Sequence, residues 1–401
     1  MVAPMPAPDL PSPSCPPRLG SRELFPALAP PVYLNHAAIS PPSAPVSAAV
    51  RAWLDDVAAR GVAAFPDWVE QRERLRATLA RFLGVEGPET IALVAGTTRG
   101  IIDVAFSLPW EVGQRVLLFE GEFPSNVTPW IQAARGFGLE PRLLGVEGFG
   151  DGSGLGLEGL VEELRRGVRL VAVSAVQFQT GLRMPLGEIG RLCHAHGAEL
   201  FVDGIQALGA GPLDLSEVDY LVAGGHKWLM GIEGAGLVYV APGALKNLVP
   251  RMAGWLGHEE GLRFLFEGPG HLKINRPFKQ DASVLEPGVS SAAGFAALEA
   301  SVGLLEELGL EAIQAHLQAY HDALEPALQE LGWRSLRAPD PAARSGTLSF
   351  EPPAGVDVVA VPERLAAQGV AVTIPDGRLR LSPHWPNALE EVERVVDALR
   401  A

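Results

Sequence analysis

Asp203 and Lys227 are the two residues whose types and placement suggest joint chemistry. They stand in VDGIQA and GGHKW, at the ends of two short apolar runs, Glu199–Val202 and Tyr220–Ala223. Both runs are too apolar for strands with one wet face, so each is expected to be a buried parallel strand. Each gives way to a polar residue and glycine at its carboxyl end, where an open α/β sheet places its ligand. A carboxylate and an amine are thus delivered to one crevice. Taken singly, an Asp capping the next helix and a surface Lys would be the ordinary reading; both together point to a cofactor site.

Those two motifs resemble the fold type I pyridoxal phosphate enzymes, and among them the class V aminotransferase and cysteine desulfurase group. The resemblance implies pyridoxal 5'-phosphate as cofactor, with Lys227 forming the aldimine, Asp203 facing the ring nitrogen and Gln206 near the phenolic oxygen. His226 would support the phosphate or the lysine. A carboxylate about 4 Å from a pyridinium, at an effective dielectric near 20, is worth roughly 4 kcal/mol or about three pKa units. A ring nitrogen kept protonated makes the cofactor a better electron sink.

Other stretches supply the remaining parts. The run Ile91–Ala95 followed by GTTRGI makes a strand, Gly96 and a helix opening at Thr97-Thr98. Free amides and the helix dipole suit an anion there, and the resemblance makes it the phosphate cup, although Thr is also an ordinary helix cap. After the strand Arg115–Phe119 comes EGEFPSNVTPW. The resemblance draws the residue stacked on the pyridine face from this loop, and Phe123 matches it. Asn126 and Trp130 either line the substrate entrance or start the next helix. In SAVQFQTGLRMPL, Gln177 is the match for a polar contact to the ring. YLNHAA is similar to the segment by which the family threads its amino terminus past the active site, which makes Asn35 and His36 substrate-site candidates. In RLRLSPHWPN, Arg380 takes the place of the family's carboxylate-clamping arginine. A guanidinium and a carboxylate pair bidentately, which fixes the orientation of an amino acid. Two departures bear on phosphate binding: Gly224 stands where relatives often have serine, and Val289, next to Ser290, where they have threonine.

Composition narrows the class. The chain has 401 residues, 47% hydrophobic and 20% charged, with a net charge of −15. Clustered Lys and Arg are what nucleic acid or an anionic membrane requires, so neither is expected as a partner. Cys15 and Cys193 are the only cysteines, so neither a disulfide framework nor a CxxC metal site is expected. No apolar run reaches the roughly 18 residues of a membrane helix, and the Pro-rich start has neither the basic end nor the apolar core of a signal peptide. A cytoplasmic protein is expected.

Strands and helices alternate at short intervals through Val240, implying a mostly parallel sheet with helices on both sides. The expected architecture is α/β: a disordered Pro-rich lead over 1–20, an N-terminal segment near the active site over 21–45, and a large cofactor-binding domain over 46–290. A small C-terminal α+β domain fills 291–401, its last helix capped by Asn387. The resemblance adds a seven-stranded sheet, the fold type I transferase fold, and a homodimer whose partner subunit completes the site through the 254–289 segment. Walls are expected from Phe123, Trp130 and that segment.

The expected activity is a class V aminotransferase acting on a small amino acid, in which Lys227 moves the Cα proton. A lyase cleaving a C–S or C–C bond, or an epimerase, of the same fold is the alternative. Desulfuration through a protein thiolate needs a cysteine on a loop near the arginine clamp. GVAVTIPDGRLRLS contains none, Cys193 falls on the buried face of the helix Leu186–His196, and Cys15 lies in the lead.

Overall fold

The structure is a computed structural model and describes residues 15–400. Among these residues twelve strands form three sheets. The chain opens with the short strand β1, Val32–Tyr33. The strands β2 (Ile91–Val94), β3 (Arg115–Phe119), β4 (Glu140–Leu144), β5 (Val168–Ser174), β6 (Glu199–Asp203), β7 (Tyr220–Gly224) and β8 (Gly236–Val240) then make the large sheet. Its order is β2-β8-β7-β6-β5-β3-β4. Only β8 runs antiparallel to its neighbours; the other pairs are parallel.

Burial explains the sequence of these strands. Every residue of β7 and β8 is buried, as are all but the first of β6. A strand covered on both faces has no reason to alternate polar and apolar residues. Two apolar clusters lie on the two faces, one built on Leu117, Val171, Leu200 and Trp228, the other on Val116, Leu170, Phe201 and Tyr220. The exception is β4, EPRLL, a half-exposed edge strand. Its proline and charges hid it from sequence reading, and an edge is where a sheet tolerates both.

Helices cover the sheet: α1 (Ala44–Arg60), α2 (Phe65–Leu83), α3 (Thr97–Ser107), α4 (Thr128–Phe137), α5 (Leu155–Arg165) and α6 (Leu186–Ala195). The long helices Ala292–Leu308 and Leu310–Glu330 lead into the C-terminal part. There β9 (Arg334–Ser335), β10 (Leu348–Glu351) and β12 (Leu379–Leu381) form an antiparallel sheet. Between the last two in sequence lies β11 (Val370–Ala371), which pairs in parallel with β1, Val32 opposite Val370. The N-terminal segment therefore joins the small sheet region before it reaches the cleft.

Three details differ from the sequence reading. Residues 15–20 of the expected lead are placed, with the Gly20 amide donating to the Trp385 carbonyl at 2.7 Å; residues 1–14 lie outside the described residues. Asn387 does not cap the last helix, which begins at Glu391. Its side chain instead accepts from the His384 amide at 2.8 Å and donates to the Tyr33 carbonyl at 3.0 Å. The sequence predicts a helix over Val356–Gln368, and the structure narrows it to Val361–Ala367 after a short 3-10 turn. No helix among the described residues is long and apolar enough to cross a membrane.

Candidate active site

The carboxyl ends of the parallel strands open into a cleft of about 700 Å³. Asp203, Lys227 and Arg380 all line it, with Gly96, Thr97 and Thr98 at the start of α3 and Phe123 after β3. The fold brings them together from distant points of the chain because each ends or follows a strand or, for Arg380, sits within one.

Lys227 lies in the turn after β7. Burial pushes its ammonium down to about 8; Asp203 opposes this and Arg380 adds to it. Its Nζ lies 5.4 Å from the centroid of the Phe123 ring, a cation–π distance. Asp203 ends β6, only 3% exposed. Its Oδ1 accepts from the Ile205 amide at 3.0 Å. Burial raises its carboxyl, Glu122 raises it further, and Lys227 lowers it. A cation at Asp203 would offset that burial penalty.

At the other end, Gly96 has φ +152° and no side chain caps the first turn of α3. Ala95 to Arg99 line the cleft here, where an anion would satisfy the free early amides and meet the positive end of the helix dipole. Thr97 Oγ1 accepts from the Gly224 amide at 2.9 Å, and Thr98 Oγ1 meets Ser125 Oγ at 2.7 Å. Beside them burial lowers His226, helped by Lys227. A Cβ on Gly224 would sit 3.1 Å from Thr97 Oγ1 and 3.2 Å from His226 Nδ1, so a larger residue there crowds this cup.

Arg380, on β12, is 5% exposed. It donates to the Phe178 carbonyl at 3.1 Å and to Thr373 Oγ1 at 3.3 Å, and its Nε is buried without a partner. Burial pushes its guanidinium down to about 10. Both partners are neutral oxygens, so the charge is left for a ligand.

These parts match a family. The model of the aminotransferase class-V family covers residues 32–379. The chain belongs to the class V aminotransferase family. It is similar to isopenicillin N epimerase of Streptomyces clavuligerus, 30% identical over 337 residues, covering 81% of this chain and 83% of that protein. It is also similar to a cysteine desulfurase of Dickeya dadantii, 31% identical over 308 residues, 76% of this chain and 69% of that one. Among solved structures, a C-DES mutant with glycine covalently linked to its PLP cofactor superimposes with a TM-score of 0.83. It is 26% identical and covers 94% of this chain and 98% of that one.

Pyridoxal phosphate is the cofactor of this class V family, and the cleft of this member fits it. An uncapped helix start suits the phosphate, an aromatic ring the pyridine face, a buried carboxylate the ring nitrogen, and one amine the carbonyl. Other expected contacts fall elsewhere. Gln206 lines the cleft, but its amide donates to the Ala37 carbonyl at 3.0 Å and accepts from Trp228 Nε1 at 2.8 Å. Gln177 does not line it; its Nε2 donates to Glu122 at 3.0 Å, and Phe178 lines the cleft instead. The chain leaves the strand after Ser174, so strand alternation no longer tells which side chain faces in. His36 is 1% exposed, packed edge-on against Tyr33 and His384, with Nδ1 bonded to Ser40 Oγ. Its successors Ala37, Ala38 and Ile39 line the cleft in its place. Asn35 accepts from Thr373 Oγ1 at 3.0 Å and so acts behind Arg380. Trp130 is fully buried against Phe201 and is no wall of the entrance.

Sequence reading missed Glu122, Phe178, Thr373 and Ser125. Glu122 carried a signal: an acidic residue directly before Phe123, in the loop after β3. Among the described residues no group of three or more His, Cys, Asp or Glu is placed to hold a metal ion.

Proposed function

We propose that the protein is a pyridoxal phosphate-dependent aminotransferase acting on a small amino acid. The observation that carries this reading is Arg380, a buried guanidinium in the wall of the lysine's cleft, bonded only to neutral oxygens and with a bare Nε. Its fork holds the α-carboxylate and so fixes the direction of the Cα–H bond. When bound, the cofactor supplies a carbonyl carbon for the amine and an electron-accepting ring. Asp203 holds the proton of the ring nitrogen, the start of α3 takes the phosphate, and Phe123 covers the ring. Lys227 Nζ would hold the cofactor at its carbonyl carbon and, as a free amine, would be the base that moves the substrate's Cα proton. A base whose pKa lies near working pH is suited to both transfers, and Lys227 is lowered in that direction.

Persulfide chemistry on a protein thiol finds no support in this cleft. Cys193 is fully buried with its thiol pushed up to about 12, and Cys15 donates to Glu23; neither lines the cleft. A second reading, epimerisation, is favoured by the 30% identity to isopenicillin N epimerase. One assay separates the two: purified protein with a panel of L- and D-amino acids, following 2-oxo acid, ammonia and enantiomer ratio with and without an amino acceptor. Acceptor-dependent 2-oxo acid is expected. Keto acid with ammonia and no acceptor marks a lyase, and inversion without keto acid marks an epimerase; either overturns the aminotransferase reading.

The same reading takes the protein to be a homodimer. Support comes from apolar residues left exposed in the 254–289 segment, with Leu272 at 76% and Ile274 at 94%. Sedimentation equilibrium returning a monomer would remove it.

A further inference from the structure

Glu122 has no part in the chemistry above, yet its surroundings are those of a working carboxylate. It is 8% exposed and directly precedes Phe123. Oε1 accepts from the Ser174 amide at 2.7 Å and from Gln177 Nε2 at 3.0 Å, while Oε2 accepts from Asn126 Nδ2 at 3.2 Å and from the Ser174 hydroxyl. The Asn126 amide is oriented by its other end, which accepts from Trp130 Nε1 at 3.1 Å. Three of the four partners are N–H groups that cannot accept a proton. They favour the charged form, against the burial that raises this carboxyl.

Ser174, which supplies two of those donors, is the register partner of Asp203 on the neighbouring parallel strand. Strands in a sheet lie about 4.8 Å apart, so the two carboxylates share one buried wall. The charged groups facing Asp203 are Glu122 and Lys227. Two neighbouring carboxylates in a buried wall do not both stay charged unless a proton or a cation joins them.

We propose that Glu122 is a positioning residue whose negative charge keeps the proton on the cofactor's ring nitrogen opposite Asp203. Loss of that proton would turn a neutral carboxylate–pyridinium pair into a bare negative charge beside Glu122. The charge of Glu122 opposes this loss. One unit charge at roughly 6 Å, in an effective dielectric of about 20, moves the deprotonation midpoint by about two pH units. The inference rests on pyridoxal phosphate occupying the cleft, and its test keeps the two separable.

Holoenzyme is loaded with pyridoxal phosphate carrying a nitrogen isotope label in the ring, and the label's chemical shift is followed from neutral to alkaline pH. Wild type is expected to keep the protonated signal well into the alkaline range. Glu122→Gln, with the same shape and no charge, is expected to lose it about two pH units earlier. Glu122→Asp, which retains the charge, should restore most of the difference. Should Glu122→Gln not fold, Gln177→Met removes one donor and leaves the charge; it must then titrate like wild type, and early deprotonation there overturns the assignment. A Glu122→Gln holoenzyme with an unchanged titration overturns the role of Glu122 alone. A wild type that never takes up the label overturns the occupied cleft itself.

Discussion

Replacing Arg380 tests the substrate side of the site most directly. A guanidinium has five N–H donors; two are spent on Phe178 and Thr373, leaving three, among them the buried Nε. A bidentate carboxylate uses two. Hydrogen bonds to charged groups contribute about 1.5–3 kcal/mol each, so the clamp is worth about 3–6 kcal/mol. At about 1.36 kcal/mol per tenfold, Arg380→Met should lower kcat/KM by about two to four powers of ten. Arg380→Lys keeps a charge but loses the fork and should lower it by about one to two. The assay compares each variant on an amino acid and on the amine with the same side chain and no carboxylate. The loss should appear with the amino acid and vanish with the amine. Equal losses on both substrates would mean that Arg380 supports the fold rather than the carboxylate. The ligand-free protein supplies a further check. A buried cation without an anion is costly, so cofactor-free Arg380→Met should be at least as stable as wild type, and a large drop in Tm would contradict the argument.

Lys227→Ala should purify without the yellow of wild type and fail to trap cofactor with borohydride; a wild type that stays colourless in pyridoxal phosphate would remove the cofactor assignment. Because the reactive form is the free amine and burial lowers Lys227 to about 8, cofactor uptake by apoprotein should accelerate with pH through a midpoint near 8 and level off above it, whereas a midpoint at the ordinary value of 10.5 would contradict the burial. Between those two values the unfolded chain holds a proton that the folded chain has released. Stability therefore rises with pH across that window, and the slope should be absent in Lys227→Met, as denaturant midpoints can show. Gly209 has φ +99°, and a Cβ there would lie 2.1 Å from the Trp228 carbonyl. Gly209→Ala should therefore cost about 2 kcal/mol or more, with a clear loss of Tm; an unchanged Tm would show that the loop yields freely.

The large sheet was legible wherever burial on both faces made a strand uniformly apolar. Five of its strands carry no charge in their interiors, and in the four of these that run parallel to one another a polar last residue or a nearby glycine marked the ligand side. It was illegible at β4, where an edge position permits Pro141 and Arg142, and where solvent supplies what a neighbouring strand would otherwise supply. Site residues divide the same way. Asp203, Lys227, Gly96 and Phe123 follow directly from strand ends, so their positions were readable. Gln177 and His36 lie in irregular chain, where a shift of one residue exchanges the side chain facing the cleft for one facing away. In both cases it is an immediate successor, Phe178 or Ala37, that faces in. Glu122 was readable only as an acidic neighbour of Phe123: its meaning depends on Ser174, 52 positions away, and on the register that sets Ser174 beside Asp203.

The contacts of Asn35 and Gln206 explain how Arg380 and Lys227, carried by different sheets, come to face one cleft. The chain from Leu34 to Ser40 runs between them. The Leu34 amide donates to Ala371, the Ser382 amide donates to Leu34, and the His36 amide donates to Ser382, which fixes the segment to the strands around Arg380. Asn35 completes this side by accepting from Thr373, the residue that also receives Arg380. On the opposite side Gln206 holds the Ala37 carbonyl, the Ser40 amide donates to His226, and Ser40 Oγ donates to the Lys227 carbonyl at 2.6 Å. Seven residues therefore bond at one end to the strands around Arg380 and at the other to the turn that carries Lys227. The small residues Ala37 and Ala38 between those anchors leave the cleft open where bulkier side chains would fill it. Asn35 and Gln206, both expected to touch ligand, set the separation of Arg380 and Lys227.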